Sequence, residues 1–121
     1  MSPIDFESLL ADYPEYAAEW QALQRWFASN WRKQYVELSV LLRALKPADK
    51  LKMVLAINAM VESDMLVMSY RIKAGGDLLE GDYDEPDKIP DKLWSRDASH
   101  LIPRSEGDLV SGFRWEPADV A

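Results

Sequence analysis

The fold is decided by residues 47–73, whose sequence is PADKLKMVLAINAMVESDMLVMSYRIK. Before Asp64, apolar residues recur at the spacing of one helix face, with Val54, Ile57 and Val61 predicted to point inward. After Asp64 the apolar period becomes two, which is typical of a strand with one buried face. The residues of that face are Leu66, Met68, Tyr70 and Ile72. The stretch therefore predicts a helix that leads directly into a β-strand.

A tight hairpin turn is predicted directly after this strand. Gly75 and Gly76 both tolerate positive φ angles, which the central residues of a two-residue turn require. We expect residues 78–83 to form the partner strand. The predicted pairs are Ile72 with Leu79, Arg71 with Glu80, and Tyr70 with Gly81. Apolar, oppositely charged and aromatic–glycine pairs are all favourable across two strands.

Three further helices are predicted upstream of this helix–strand pair. Ser2 as N-cap and Pro3 as the first helical residue predict a short helix that ends near residue 13. Four large apolar residues at helical spacing predict the next helix. They are Tyr16, Trp20, Leu23 and Phe27. Residues 33–45 predict a third helix, which ends at a tight turn formed by Lys46 and Pro47.

An acidic loop is predicted downstream of the hairpin, over residues 84–94. Its sequence is DEPDKIPDKLW. We expect Ile89, Leu93 and Trp94 to anchor this loop by burying their apolar side chains. The loop is therefore predicted to be ordered, although most of its side chains are charged.

The C-terminal residues predict an irregular segment, 97–105, and a strand in 109–115 that joins the hairpin. The length of 121 residues suits one domain. We expect a single domain over residues 1–121. Its predicted parts are an N-terminal helix extension (1–15), a helical core with the hairpin (16–83), and an acidic loop with the terminal strand (84–121).

The order of helix, helix, tight turn, helix and glycine-tipped hairpin resembles the winged helix-turn-helix superfamily. Residues 60–91, MVESDMLVMSYRIKAGGDLLEGDYDEPDKIPD, look like the wing of small bacterial winged-helix proteins in which an acidic IPD loop follows the wing. The resemblance implies an α+β, mainly α fold with an N-terminal helix, a three-helix core, a β-hairpin wing and a late C-terminal strand. Typical members bind DNA with the helix that matches residues 47–63, and others use the same surfaces for protein partners.

Composition excludes several kinds of chemistry. The chain has no cysteine, so disulfides, thiolate metal sites and cysteine nucleophiles are ruled out. The single histidine, His100, has no second histidine with which to complete a site. Asp82, Asp84 and Asp87 lack the glycine and the distal glutamate of an EF-hand loop. We therefore predict a protein that is not an enzyme, with no catalytic residues, no metal site and no cofactor.

Charge and hydropathy bear on location and partners. Residues 1–16 lack the basic and apolar regions of a signal peptide, and no segment approaches the ~20 apolar residues of a membrane span. We expect a cytoplasmic protein that does not bind membranes. The formal net charge is −7, and residues 77–121 carry all of it, with twelve acids and five bases. Residues 25–52, in contrast, hold seven bases and two acids.

The function that these patterns favour is a non-catalytic winged-helix adaptor or regulator that binds a protein partner. Small side chains let the backbone of a partner approach closely, and a helical projection places several on the outward side of the helix after Pro47. The predicted partner-binding residues on this helix are Lys52, Ala56, Ala59 and Ser63. Asp82, Asp84 and Asp87 form a second predicted surface, which suits a basic partner.

A DNA-binding transcriptional regulator, which could act as a homodimer, is the alternative. Its phosphate contacts would be Arg43, Lys46, Lys50, Lys52, Arg71 and Lys73. Base readout needs polar side chains on the recognition helix, and the outward alanines favour a protein partner instead. A further alternative is an immunity-type or phage-encoded inhibitor, in which the acids of residues 77–108 imitate phosphate groups.

Overall fold

The computed structural model describes residues 4–115, which form four α-helices and six β-strands. The helices are α1 (Phe6–Asp12), α2 (Ala17–Asn30), α3 (Leu38–Leu45) and α4 (Lys50–Glu62). The strands are β1 (Tyr35–Glu37), β2 (Val67–Ala74), β3 (Asp77–Leu78), β4 (Lys92–Ser95), β5 (His100–Pro103) and β6 (Asp108–Arg114). None of these four helices is long and apolar enough to cross a membrane.

The chain divides into two compact units. Within the described residues, the helical unit comprises residues 4–67 and 113–115, and the hairpin unit comprises residues 68–112. A four-stranded sheet has the strand order β1-β6-β2-β3, while β4 and β5 pair with each other in a separate sheet. The long strand β6 begins in the hairpin unit and ends in the helical unit.

Helix α1 begins at Phe6 because Asp5 caps it. The Asp5 Oδ1 atom accepts a hydrogen bond from the backbone N–H of Ser8 at 3.1 Å, which satisfies one of the free donors of the first turn. Ser2 and Pro3, the predicted start of this helix, lie outside the described residues.

The predicted apolar face of α2 is confirmed. Trp20, Leu23 and Phe27 are all buried, while Tyr16 lies in a short 3-10 turn just before the helix. The ring centroid of Phe6 lies 6.5 Å from that of Trp20 and 6.2 Å from that of Phe27. These aromatic contacts hold α1 against α2 in the core of the helical unit.

The predicted helix over residues 33–45 is wrong in its first third. Gln34 has a left-handed φ of 62°, which interrupts helical geometry, and the next three residues form β1. The Gln34 carbonyl accepts a hydrogen bond from the backbone N–H of Trp115 at 3.1 Å, and β1 pairs with β6. This pairing uses backbone groups that a longer helix would need, so α3 begins only at Leu38.

The tight turn between α3 and α4 is confirmed. Lys46 ends α3 with a left-handed φ of 46°. Helix α4 begins at Lys50 rather than at Pro47, because Asp49 is its N-cap and accepts a hydrogen bond from the Lys52 N–H at 3.0 Å. The helix ends at Glu62, as predicted.

The hairpin turn after β2 is also confirmed. Gly75 and Gly76 have φ angles of 61° and 86°, which a residue with a Cβ rarely adopts. The paired residues are Lys73 with Leu78 and Ala74 with Asp77. In the same register, the Leu79 N–H donates to the Ile72 carbonyl at 2.8 Å. The predicted pairing of Ile72 with Leu79 is therefore correct.

Beyond Leu79 the predicted register is wrong. Tyr70 pairs with Tyr83 rather than with Gly81, through two backbone hydrogen bonds of 2.7 and 3.0 Å. Gly81 has a φ of 100°, so the chain bulges away from β2 before it returns at Tyr83. Strand β3 consequently ends at Leu78, well before the predicted residue 83.

The opposite face of β2 is more buried than predicted. Ser69 lies on that face and has 0% exposure, although a strand with a single buried face would leave it in water. The alternation of residue types in β2 therefore identifies the strand but not the burial of both its faces.

A small apolar core stabilises the hairpin unit. It consists of Ile72, Leu79, Ile89 and Leu93. The predicted anchoring roles of Ile89 and Leu93 are confirmed, but that of Trp94 is wrong because its side chain is 44% exposed. Strand β5 lies within residues 97–105, which were predicted to be irregular.

The predicted mainly α, winged helix-turn-helix fold is wrong. Helices, with the short 3-10 turns included, take up 48% and strands 26% of the described residues, and the sheet places β6 between β1 and β2. The resemblance rests on the order of elements along residues 20–91, where β1 was not predicted, and the β4–β5 sheet lies beyond residue 91. Both features depend on pairing between short segments rather than on a local pattern. The last strand predicted in residues 109–115 is confirmed as β6.

Candidate functional site

Helix α4 exposes a different face from the predicted one. Ala56 and Ala59, predicted as outward partner-binding residues, are buried with 0% and 4% exposure. They share the buried part of the helix with Met53, Ile57 and Met60. The predicted outward orientation is therefore wrong for both alanines, and neither side chain is exposed to a partner in this structure.

Lys52 and Ser63 complete the predicted set at the two ends of α4. The Lys52 Nζ atom lies 3.9 Å from Oε1 of Glu19, and the Lys52 side chain is 43% exposed. Ser63 is half-buried and donates its backbone N–H to the Ala59 carbonyl at the end of the helix. With the two alanines buried, the four predicted residues form no continuous exposed surface.

The face of α4 that is exposed carries two leucines. Leu51 is 69% exposed and Leu55 is 45% exposed. Asn58 and Glu62 continue the same face, because the four positions fall within about 60° of one another at 100° per residue. The Asn58 amide donates to the Glu62 carboxylate at 3.4 Å. The sequence carried a signal for this face, because apolar residues lie on all sides of α4 and some of them must remain outside. The predicted inward face was one of several with nearly equal apolar content.

The predicted nucleic-acid-binding residues are divided between the two units. In the helical unit Arg43, Lys46 and Lys50 are exposed, and Lys52 forms the ion pair described above. Arg71 and Lys73 belong to the hairpin unit. Arg71 is half-buried, and its Nη2 atom donates to the Leu79 carbonyl at 3.0 Å. Its guanidinium group is therefore engaged by the protein's own backbone.

The predicted acidic surface is exposed on an ordered loop. Asp82, Asp84 and Asp87 all lie in water, while Ile89 is buried at 4% exposure and fixes the loop to the core of the hairpin unit. Lys88 Nζ lies 3.5 Å from Asp84 and 3.7 Å from Glu85. The carboxylate of Asp84, followed by that of Glu85, raises the pKa of Lys88 above its ordinary value. Lys88 thus offsets part of the negative charge of the loop.

An exposed apolar pair lies on the β4–β5 hairpin. Trp94 is directly opposite Leu101 in the antiparallel register, and the two side chains are 44% and 54% exposed. Side chains two residues apart share a face, so Lys92 is on the same side as Trp94. Sequence reasoning missed this face because it treated Trp94 as an anchor. The alternation of Leu93 and Ser95, both buried, with Lys92 and Trp94 was the available signal.

Charged groups surround a cavity of about 270 Å³ in the hairpin unit. Glu80, predicted to pair with Arg71, instead accepts two hydrogen bonds from Arg96, at 2.9 and 3.2 Å. The Asp97 carboxylate accepts a hydrogen bond from the protonated form of the Asp77 carboxyl, and this bond, together with the negative charge of Asp97, raises the pKa of Asp77. These contacts connect β3 and the residues after it with the turn that follows β4.

The remaining candidate chemistry and the comparisons add no site. The His100 Nδ1 atom lies 2.9 Å from the Ala98 carbonyl oxygen. Within residues 4–115, no group of three or more His, Cys, Asp or Glu residues is arranged to hold a metal ion. No family model, curated protein or solved structure matches this chain. Function must therefore be inferred from the surfaces of the two units.

Proposed function

We propose that this protein is a non-catalytic adaptor or regulator that binds a protein partner through the exposed face of the β4–β5 hairpin. The observation that carries the proposal is the cross-strand pair of Trp94 and Leu101, which are 44% and 54% exposed. Tryptophan is enriched among the residues that contribute most to protein interfaces. Covering such a pair removes apolar surface from water, which stabilises a complex by about 25 cal/mol per Å².

The surroundings of this pair favour a partner with both apolar and acidic groups. Lys92 is exposed on the same face, two residues before Trp94. Arg96, two residues after Trp94, is also exposed. Its positive charge is partly neutralised because it forms an ion pair with Glu80. An apolar centre with a charged rim is the usual composition of a protein interface. We also propose a cytoplasmic location, which is compatible with the absence of cysteine.

A site-specific crosslinking experiment tests this proposal. A photo-crosslinking amino acid at position 94, in the full chain expressed in its native cells, should give one discrete crosslinked protein species. The same amino acid at position 109 is the matched control, because Leu109 lies in the hairpin unit and is 49% exposed. Absence of a crosslinked species at position 94, or equal yields at both positions, would contradict the proposal.

A double substitution then measures the contribution of the pair. Trp94→Ala with Leu101→Ala should weaken partner capture by about 30- to 700-fold, since two central apolar contacts contribute roughly 2–4 kcal/mol. Both side chains are substantially exposed, so thermal stability should fall little. A large loss of stability would show that the pair is structural.

The acidic loop supports a second candidate, a protein that inhibits a basic partner by imitating phosphate charge. The observation in its favour is that Asp82 and Asp87 are both exposed, and that Asp87 lies on the loop that the buried Ile89 fixes to the core of the hairpin unit. Asp82→Lys with Asp87→Lys should abolish binding of a basic partner, and binding of the unchanged chain should weaken steeply with salt. Binding that survives both the substitutions and high salt would exclude this candidate.

DNA binding is a weaker candidate than either. The Arg71 guanidinium donates to the Leu79 carbonyl, and the exposed face of α4 presents Leu51 and Leu55 where base readout needs hydrogen-bond donors. A mobility shift at low salt that disappears with Lys46→Glu and Lys50→Glu would favour DNA over a protein partner.

A further inference from the structure

Helix α4 carries large apolar side chains on two opposite sides, and one of these sides lies open to solvent. Met53, Ile57 and Met60 are buried on the inner side. On the outer side Leu51 is 69% exposed, the highest value among the large apolar side chains that the structure describes. Helices that are apolar on all sides are typically buried. The outer side of α4 is therefore a surface whose burial by another helix would be favourable.

The exposed stripe on this outer side is symmetric about its midpoint. Its members are Leu51, Leu55, Asn58 and Glu62. The steps between them are four, three and four residues, so the series is the same in either chain direction. Two copies of α4 packed antiparallel would place Leu51 of each copy beside Glu62 of the other. Leu55 of each copy would lie beside Asn58 of the other.

The charges at the two ends of α4 complement this antiparallel arrangement. Lys50 is exposed at the first residue of the helix, and Lys46, four residues earlier, is also exposed. Glu62 is exposed at the last residue, and Asp64 is exposed just after it. Antiparallel packing brings the positive end of one copy to the negative end of the other, twice in each dimer. Parallel packing would bring like charges together.

We propose that α4 mediates self-association of this protein, by packing antiparallel along the Leu51–Leu55–Asn58–Glu62 stripe of a second copy. A helix of this length extends only about 20 Å, so the contact is smaller than the ~1,600 Å² of a standard interface. The dimer should therefore be weak and concentration-dependent. This stripe belongs to the helical unit, whereas the proposed partner-binding face belongs to the hairpin unit.

Sedimentation analysis of the full chain, with charge-reversal variants, tests the proposal. Between about 1 μM and about 1 mM, the mean mass of the unchanged protein should rise from that of a monomer toward that of a dimer. Lys50→Glu and Glu62→Lys should each weaken association by at least about tenfold, because each places like charges together at both contacts. An equimolar mixture of the two variants should associate again, since opposite charges then meet at both contacts.

A matched control variant and a double variant that should restore association complete the experiment. Arg25→Glu makes the same change of charge at an exposed position of α2 and should leave association unchanged. The double variant with both Lys50→Glu and Glu62→Lys should self-associate like the unchanged protein. A monomer mass up to about 1 mM, or single variants that associate normally, would overturn the proposal. Failure of the mixture to associate would do the same, while the hairpin-face crosslinking result would be unaffected.

Discussion

Helix α4 and the β2–β3 hairpin follow one another in the chain, but the sequence determines their orientations to different degrees. In the hairpin, the glycine turn fixes the register, and Ile72 pairs with Leu79 as predicted. In α4, the predicted inward residues were Val54, Ile57 and Val61, of which only Ile57 is buried. A strand has two faces to choose between, whereas a helix that is apolar all round can be rotated through many nearly equivalent positions.

This difference has a functional consequence. A hairpin whose apolar side chains lie on one side can bury most of them within its own unit. A helix with apolar residues on all sides must leave some of them outside when it packs on one side. In α4 the residues left outside are Leu51 and Leu55. The ambiguity in the sequence and the exposed surface in the structure thus have the same origin.

The largest expected effect comes from placing a charge on each side of α4 in turn. Ala56→Glu should destabilise the helical unit by roughly 3–5 kcal/mol, because it buries an unpaired carboxylate at a position with 0% exposure. Leu55→Glu, one residue earlier and 45% exposed, should change the free energy of unfolding by less than about 0.5 kcal/mol. Urea unfolding at low protein concentration measures both values. Equal losses would contradict the orientation of α4.

In the hairpin unit, Ile72→Ala should lower the free energy of unfolding by roughly 2–5 kcal/mol. Ile72 is 1% exposed and lies in the apolar core with Leu79, Ile89 and Leu93. Chemical unfolding monitored by a probe in the hairpin unit gives the value. A loss below about 1 kcal/mol would show that the core closes around the space left by the shorter side chain, or that it contributes little stability.

Gly107→Ala should have the next largest effect, about 1–3 kcal/mol. A Cβ at this position would overlap with Cγ2 of Ile72 and would lie 3.1 Å from the Lys73 carbonyl oxygen. Part of this cost should disappear when Ile72→Ala is already present, because that change removes the overlapping methyl group. Strict additivity of the two substitutions would contradict the close approach of Gly107 to Ile72.

The smallest expected effect concerns the start of α4. Asp49→Ala should destabilise by about 1 kcal/mol, because the Lys52 N–H loses the acceptor that caps the helix at 3.0 Å. Asp49→Asn is the matched control, since its side-chain oxygen can still accept that hydrogen bond. A thermal unfolding series should therefore separate the two variants. Identical stabilities would place the start of the helix elsewhere.

Local patterns in the sequence predicted several parts of the fold correctly. The buried face of α2, the glycine turn, the anchoring residues Ile89 and Leu93, and strand β6 all follow from residue type and spacing within a short window. The exposure of Asp82, Asp84 and Asp87 follows for the same reason. Each of these features depends on neighbours that are close in the chain.

The features that the sequence did not predict depend on residues far apart in the chain, or on small differences in free energy between alternative arrangements. Strand β1 has three residues and exists through its pairing with β6, more than 70 positions later in the chain. The bulge at Gly81 changes the register only because Tyr83 pairs with Tyr70. Trp94 was assigned to the core on residue type alone, although its place on the exposed face of β4 makes it the main residue of the candidate site. None of these features produces a strong periodic signal.

The orientation of α4 can be measured most directly by thiol labelling, because the chain has no cysteine. Leu55→Cys and Ala56→Cys introduce single thiols at adjacent positions that are 45% and 0% exposed. At about 1 μM, where a weak dimer is dissociated, Leu55→Cys should react within about tenfold of the rate of the unfolded chain. Ala56→Cys should react at least about 100-fold more slowly than Leu55→Cys, because labelling requires local unfolding. Equal rates, or faster labelling at position 56, would contradict the exposed leucine face and support the alanine face predicted from the sequence.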